Sequence, residues 1–233
     1  MTNELLHSAA ATLDRMLDRA PPADIIAEAL RSAPDGRLAA VSSFGTESAV
    51  LLKFVADVDP AIPVLFLDTG WLFEETLDYR DTLVRRLGLT DIRTLNPDAG
   101  TLQNHDPERD LWSRDPDSCC RIRKVEPLAR ALQGFEAWLN GRKRFHGNER
   151  RGLAVVEADG PRLKFNPLAN LTQAEVRGIF DEFDLPRHPL ERFGFSSIGC
   201  MPCTSRTQPG EDARAGRWRD RGKTECGIHG ASK

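Results

Sequence analysis

Four of the five cysteines in this chain fall into two tight groups, Cys119-Cys120 and Cys200-Met201-Pro202-Cys203. Four thiolates are the usual complement of one tetrahedral zinc ion or one four-iron cluster. Adjacent side chains point apart and reach a single small ion poorly, whereas neighbouring sulfurs can bind different irons of a cubane. The spacing therefore favours iron and sulfide over zinc. The fifth thiol, Cys226, stands alone in Glu225-Cys226-Gly227-Ile228-His229. Arg221, Lys223 and His229 lie close to it in sequence and favour its thiolate, while Glu225 works the other way. Such a thiolate, on a segment able to fold over an anion site, is suited to nucleophilic attack.

Elements that would position these groups follow in order. The first 32 residues read as two covering helices broken at Pro21-Pro22. Leu38–Val41 is a short apolar strand, followed by Ser42-Ser43-Phe44-Gly45-Thr46-Glu47-Ser48 and an apolar helix. Strand, small-residue loop and helix aim backbone N–H groups at an anion; the same residues also serve as a plain cap and turn. Neither a Walker sequence nor G-x-G-x-x-G is present. A second strand over Ile62–Leu67 ends in Asp68-Thr69-Gly70. Asp68 stands where a strand tip meets a ribose or adenine, or else caps the next helix. An amphipathic helix over Glu74–Leu87 stops at Gly88, and Ile92–Leu95 makes a third strand. Two β-α units and a strand predict an α/β fold with a doubly wound, mainly parallel sheet.

Residues 96–118 read as a functional loop ahead of the first cysteine pair and its basic neighbours Arg121, Arg123 and Lys124. A fourth strand over Phe135–Leu139 leads into an Asn140-Gly141 turn and Arg142-Lys143-Arg144, with Arg150-Arg151 shortly after, either a solvated loop or an anionic-substrate site. A hairpin through Asp159-Gly160 and a helix opened by the Thr172–Glu175 capping box complete the body. The expected division is a nucleotide- and cluster-binding unit over residues 1–203 and a tail or lid over 204–233 carrying Cys226. That tail has few large apolar residues and many charges, so it builds no core of its own.

The totals narrow the classes. A 233-residue chain that is 40% hydrophobic and carries a net charge of −3 gives no support to nucleic acid as a bulk partner. No apolar run approaches the ~20 residues that span a bilayer, and the start lacks a signal-peptide pattern. Cysteines without an export signal are expected in a reducing compartment, here the cytoplasm.

Together, Ser42-Ser43-Phe44-Gly45, Leu67-Asp68-Thr69-Gly70, Cys119-Cys120 with Lys124, Cys200-Met201-Pro202-Cys203, Arg214-Ala215-Gly216-Arg217-Trp218 and Glu225–His229 resemble the assimilatory adenylyl-sulfate reductases, relatives of the phosphoadenylyl-sulfate reductases. The resemblance implies an adenine nucleotide α-hydrolase-like fold. It implies a [4Fe-4S] cluster on Cys119, Cys120, Cys200 and Cys203, a catalytic Cys226, and Lys124 coupled to cluster and sulfate. Ser42, Ser43, Phe44 and Gly45 match the nucleotide loop. Asp68, Arg144, Arg214, Arg217 and His229 are expected around the substrate. His146 stands where relatives often carry Gln, leaving open which of Arg142, Lys143 and Arg144 faces the ligand. The implied activity is reduction of adenylyl sulfate to sulfite and AMP through a Cys S-sulfonate, with thioredoxin as reductant, serving cysteine biosynthesis; a homo-oligomer is a family-level expectation. Three rival readings stand beside it: the 3′-phosphorylated substrate, a tRNA-thiolating PP-loop enzyme, and a zinc-stabilised binding module.

Overall fold

The computed structural model describes residues 2–147 and 150–230. A six-stranded sheet runs in the order β3-β2-β1-β4-β6-β5, built from β1 (Leu38–Ser42), β2 (Val64–Leu67), β3 (Ile92–Leu95), β4 (Ala137–Leu139), β5 (Val156–Asp159) and β6 (Arg162–Phe165). All pairings are parallel except β5 with β6, the predicted hairpin. β1, β2 and β4 are buried along their whole length, as central parallel strands covered on both faces must be.

On one face lie α1 (Asn3–Leu17), α2 (Pro22–Ser32), α3 (Ser48–Val58) and α9 (Gln173–Glu182). Their apolar stripes join the strands in a core that includes Leu6, Ile25, Ile26, Val50, Leu52, Val64 and Phe165. The opposite face packs Val41, Leu65, Leu67 and Trp138 against Leu128 and Leu132 of the α8 region (α8, Glu126–Ala131). α4 (Glu74–Leu87) ends at Gly88 in the left-handed conformation, and Thr172 and Glu175 form the predicted capping box of α9.

Residues 96–118 depart from the irregular loop expected of them. They contain α5 (Ala99–His105), α6 (Leu111–Arg114) and α7 (Pro116–Cys120). Segments of four to seven residues are too short to show helical periodicity, so their caps are the only sequence signal. The Asp98 side chain caps α5, and the Asp115 carboxylate accepts from the amides of Asp117 and Ser118 at 3.1 and 3.0 Å. After β4, which pairs with parallel neighbours on both sides, the Asn140 side-chain amide bonds the Phe165 carbonyl.

Between α7 and α8 the chain takes a π-helical turn over Arg121–Val125. Pro127 supplies a physical reason, since it cannot donate to the Arg123 carbonyl and its ring crowds that group. The buried Arg123 guanidinium, aimed inward by this turn, donates to the Thr69 carbonyl at 2.9 Å and pairs with Asp106 at 2.5 Å. Asp106 also accepts the amide of Leu111 at 2.9 Å. One ion pair thus ties the β2 tip, the α5–α6 connection and the cysteine-bearing helix together. Replacing Asp106 by Ala leaves Arg123 buried without a counter-charge and is expected to cost about 3–5 kcal/mol in urea denaturation of the full chain. Asp106→Asn, which can keep the Leu111 bond, should cost less; equal stability of Asp106→Ala and the unmodified chain would contradict this role.

Candidate functional site

All five cysteines are free thiols. Cys119, Cys120, Cys200 and Cys203 are buried and line one small enclosed cavity with Trp71, Trp112, Pro116, Arg123, Lys124 and Pro202. α7 delivers the first pair. A single 3-10 turn, Met201–Cys203, delivers the second, held to the β2 tip by the Met201 amide on the Trp71 carbonyl at 2.7 Å. Among the described residues no three His, Cys, Asp or Glu side chains close on a single metal ion. The four sulfurs surround a space instead, a donor set that fits a multi-iron cluster better than one zinc.

The polar atoms nearest these sulfurs would favour anionic sulfur. The Thr69 hydroxyl lies 3.2 Å from Cys200 Sγ, and the half-buried Lys124 ammonium is within interaction range of the Cys200, Cys226 and Cys120 sulfurs. Burial alone would raise the Cys200 thiol; Lys124, the Thr69 hydroxyl and Arg217 more than offset it, so Cys200 is shifted down. Cys119 and Cys120, where burial dominates, are pushed up to about 12 and about 11. Lys124 is itself shifted up: burial opposes its charge, and the surrounding sulfurs outweigh burial.

A second, larger cleft opens at the carboxyl ends of β1 and β4, where the strand order reverses, the expected ligand position in an open parallel sheet. Ser42, Ser43, Gly45, Thr46, Glu47 and Ser48 form one wall, and α3 starts there without a side-chain cap. Arg142, Lys143, Arg150, Arg214 and Arg217 bring positive charge to it, against Glu47. Lys143 donates to Glu47 at 2.7 Å and His146 Nε2 lies 3.0 Å from the same oxygen. Burial would raise the Glu47 carboxyl, but His146 and Lys143 together hold it down at about 2.

Tail residues close this cleft. Glu225 accepts from Arg150 at 2.5 and 2.9 Å and from Arg214 at 3.3 Å, while Arg214 also bonds the Thr224 carbonyl at 2.9 Å. His229 stacks on Trp138 with centroids 5.6 Å apart and planes 6° from parallel. Burial, reinforced by Arg142, Lys164, Arg150 and Arg214, shifts His229 well below its ordinary value. Cys226, half-buried, packs beside Cys120, Cys200, Cys203 and Trp218. It faces a groove that shares Arg142, Arg150 and His229 with the strand-tip cleft. The lone thiol therefore stands at the junction of the nucleotide-type cleft and the cysteine cavity.

Several expected contacts lie elsewhere. Arg144 turns away, its Nε on the Leu153 carbonyl at 2.7 Å and its other nitrogens toward Asn170 and Asp18, because those acceptors hold the α1 end against the body. Arg142 and Lys143 take the cleft positions instead. Phe44 is fully buried against Phe66, so its backbone alone shapes the loop; with φ of +47° it makes the turn that keeps Ser43 exposed. Asp68 caps the turn through Gly70 at 2.9 Å and faces a separate groove with Asn96, Gln103 and Arg109. Arg221 and Lys223 are committed to the Trp112 carbonyl and Asp117, so they fix the tail, and Lys124 is the cation set among the thiols. Residues not anticipated include Thr69, Glu47, Asn140 and Gly199, whereas Arg150, part of the basic stretch read from sequence, lines the cleft. Thr69 lay within a motif that sequence had flagged; Glu47 and Gly199 gave no signal separable from a helix cap and a turn.

Known proteins resemble this chain in sequence and in fold. The family profile described as "Phosphoadenosine phosphosulfate reductase domain" matches residues 37–206. The chain is 49% identical to adenosine 5'-phosphosulfate reductase of Mesorhizobium japonicum over 94% of its own length and 87% of that protein. It is 42% identical to phosphoadenosine 5'-phosphosulfate reductase of Gloeobacter violaceus over 93% of this chain and 92% of that one. In fold it is similar to the crystal structure of phosphoadenylyl-sulfate reductase from Candida auris, with a TM-score of 0.73, 24% identity, and coverage of 88% of this chain and 98% of that chain.

Gly199 yields a test of the cationic wall. A Cβ there would lie 2.3 Å from Nη2 of Arg217, so Gly199→Ala must push that guanidinium aside. AMP affinity measured by calorimetry is expected to fall roughly tenfold, the scale of one lost charge-assisted hydrogen bond. Stability should change little, because the far end of a flexible side chain absorbs the clash. Unchanged affinity would remove Arg217 from the anion site.

Proposed function

The chain belongs to the phosphoadenosine phosphosulfate reductase family, and from that premise we propose that it reduces adenylyl sulfate to sulfite and AMP in assimilatory sulfate reduction. The observation that carries the reading is the junction of Cys226 with a cationic strand-tip cleft on one side and four buried cysteines on the other. Relatives at 46–51% identity are named adenosine 5'-phosphosulfate reductases. The loop over Ser42–Ser48 and the first turn of α3 receive the nucleotide, and Arg142, Arg150, Arg214 and Arg217 meet its phosphate and sulfate.

In the first step the Cys226 thiolate attacks the sulfate sulfur. An S–S bond forms, the S–O bond to the nucleotide phosphate breaks with its electron pair, and AMP leaves as a stable anion. Cations already fixed around that oxygen stabilise the developing charge without reorganising, the largest contribution available to such a site. His229, kept neutral by burial among arginines, adds no charge at rest and can donate a hydrogen bond from one ring nitrogen. In the second step a thiolate of an external dithiol attacks Cys226 Sγ and sulfite departs. The dithiol's second sulfur then releases Cys226, so two electrons pass from dithiol to sulfur. With four cysteines drawn into the cavity, no resolving thiol remains in the chain, which calls for an outside reductant of the thioredoxin class in a reducing cytoplasm.

Cys119, Cys120, Cys200 and Cys203 would hold a [4Fe-4S] cluster, supported by the shape of their cavity and by the cations beside it. When bound, it supplies a compact polarisable charge next to Lys124. The protein itself supplies the nucleophile, the arginine wall and the exclusion of water by the tail. Among the described residues no helix is long and apolar enough to cross a membrane.

Cys226→Ser, purified without oxygen, is expected to keep the same iron and acid-labile sulfide per chain as the unmodified protein while sulfite release drops by about a thousandfold or more. Cys119→Ser should lose iron as well. A Cys226→Ser protein that still released sulfite would end the nucleophile assignment, and an unmodified protein holding zinc and no iron would end the cluster assignment.

A further inference from the structure

Relatives of this chain are named for two different substrates, adenylyl sulfate and its 3′-phosphorylated form. The cleft carries a feature that chooses between them. Cys226 must reach the sulfate, so the sulfate end lies at the junction formed by Arg142, Arg150 and His229. Arg214 stands with the tail through Glu225, while the Arg217 guanidinium rests against Gly199 with its Nε 3.4 Å from the Cys203 carbonyl. The nucleoside then extends to the opposite wall, formed by the Ser42–Ser48 loop, Leu51 and Ile198. The cation bound directly to Glu47 on that wall is Lys143, and the next, Arg150, lies 3.2 Å from His146 Nδ1 with its guanidinium already paired with Glu225. The Lys143 ammonium is already held by Glu47 at 2.7 Å and the Gly141 carbonyl at 3.1 Å. His146 completes the clamp on the same carboxylate oxygen, its Nε2 at 3.0 Å.

We propose that Glu47 is a specificity-determining residue: its carboxylate, clamped between Lys143 and His146, bars a second phosphate from the ribose and makes the cleft select adenylyl sulfate over the 3′-phosphorylated nucleotide. A phosphomonoester carries about −1.5 to −2 charges at neutral pH. Seating it beside a buried carboxylate whose own counter-ion is occupied sets like charges together in a low-dielectric cleft. Rotating Glu47 away does not relieve the conflict, since Lys143 and His146 would both lose their acceptor. The clamp keeps Glu47 ionised across the whole physiological range, so the barrier does not vary with cellular pH.

This assignment rests on the adenylyl-sulfate reading above, and binding of the two product nucleotides separates the fates of the two proposals. AMP and adenosine 3′,5′-bisphosphate are titrated calorimetrically into the full chain, unmodified and as Glu47→Gln. The unmodified protein should bind AMP more tightly than the bisphosphate. Glu47→Gln, which frees Lys143, should shift the ratio of the two dissociation constants toward the bisphosphate by tenfold or more. Adding Lys143→Met to Glu47→Gln should take most of that shift back. Glu47→Ala serves as a second variant should the amide disturb the loop, with the same direction expected. An unchanged ratio in variants that still bind AMP overturns the role of Glu47 and leaves the adenylyl-sulfate reading standing. An unmodified protein that binds neither nucleotide overturns both.

Discussion

A single half-buried ammonium joins the two halves of this site. Lys124 lies among Cys120, Cys200 and Cys226, so the sulfurs of the cavity and the lone thiol share one cation. A charge in that position is costly to desolvate and is kept only where anions surround it. Its location follows from the π-turn over Arg121–Val125, which carries Arg123 and Lys124 to the cavity wall together with the cysteines just before them. Arg123 is spent on structure, on Thr69 and Asp106; Lys124 is left for sulfur. Thus a proline that cannot donate, a widened helical turn and a paired arginine precede the chemistry and make it possible.

The same economy of charge governs the strand-tip cleft. Without its substrate, nearly every cation there has an internal acceptor: Arg142 bonds Glu157, Lys143 bonds Glu47, and Arg150 and Arg214 bond Glu225. Glu225 neighbours Cys226, so the residue that satisfies two arginines also sets the thiol's position. Arg214 shows the tension. Burial and the adjacent Arg150 push it down to about 10, against the pull of Glu225 and Cys226. An incoming sulfate offers those guanidiniums a second anionic partner of matching geometry, so binding exchanges one set of ion pairs for another and exposes no bare charge.

Much of this was legible in the chain. Parallel apolar runs at 38–42 and 64–67, the Gly88 stop and the Thr172 capping box follow local rules that the folded protein obeys. The cysteine pairs announced a shared site through residue type alone. What stayed hidden depends on distance in sequence. Arg144 and Arg142 are indistinguishable as letters, and only the position of Asp18 and Asn170, brought in by α1 and the β6–α9 connection, decides that Arg144 leaves the cleft. Asp68 looked like a strand-tip ligand because strand tips bind ligands. The switch point lies between β1 and β4, however, and β2 ends one strand too far over. Glu47 read as a cap because helix starts favour acids, whereas its partners come from beyond β4.

Composition left open how the tail is held. Residues 204–230 lack the apolar content for a core, yet Trp218 is buried against the cysteines, and Ile228 and His229 sit on Trp138. The remaining attachments are charged or backbone: Lys223 to Asp117, Arg221 to the Trp112 carbonyl, Arg150 and Arg214 to Glu225, and the short Thr204–Arg217 bridge. A segment held by two aromatic anchors and several exchangeable ion pairs has a low free energy of local opening compared with the sheet beneath it. Chemistry demands that property here. In the mechanism we propose, the thiol closes on the nucleotide to exclude water, then carries a sulfonate out to a reductant too large for the cleft. Apolar packing strong enough to be obvious in the sequence would hold the thiol shut, which the proposed transfer to an outside reductant does not allow.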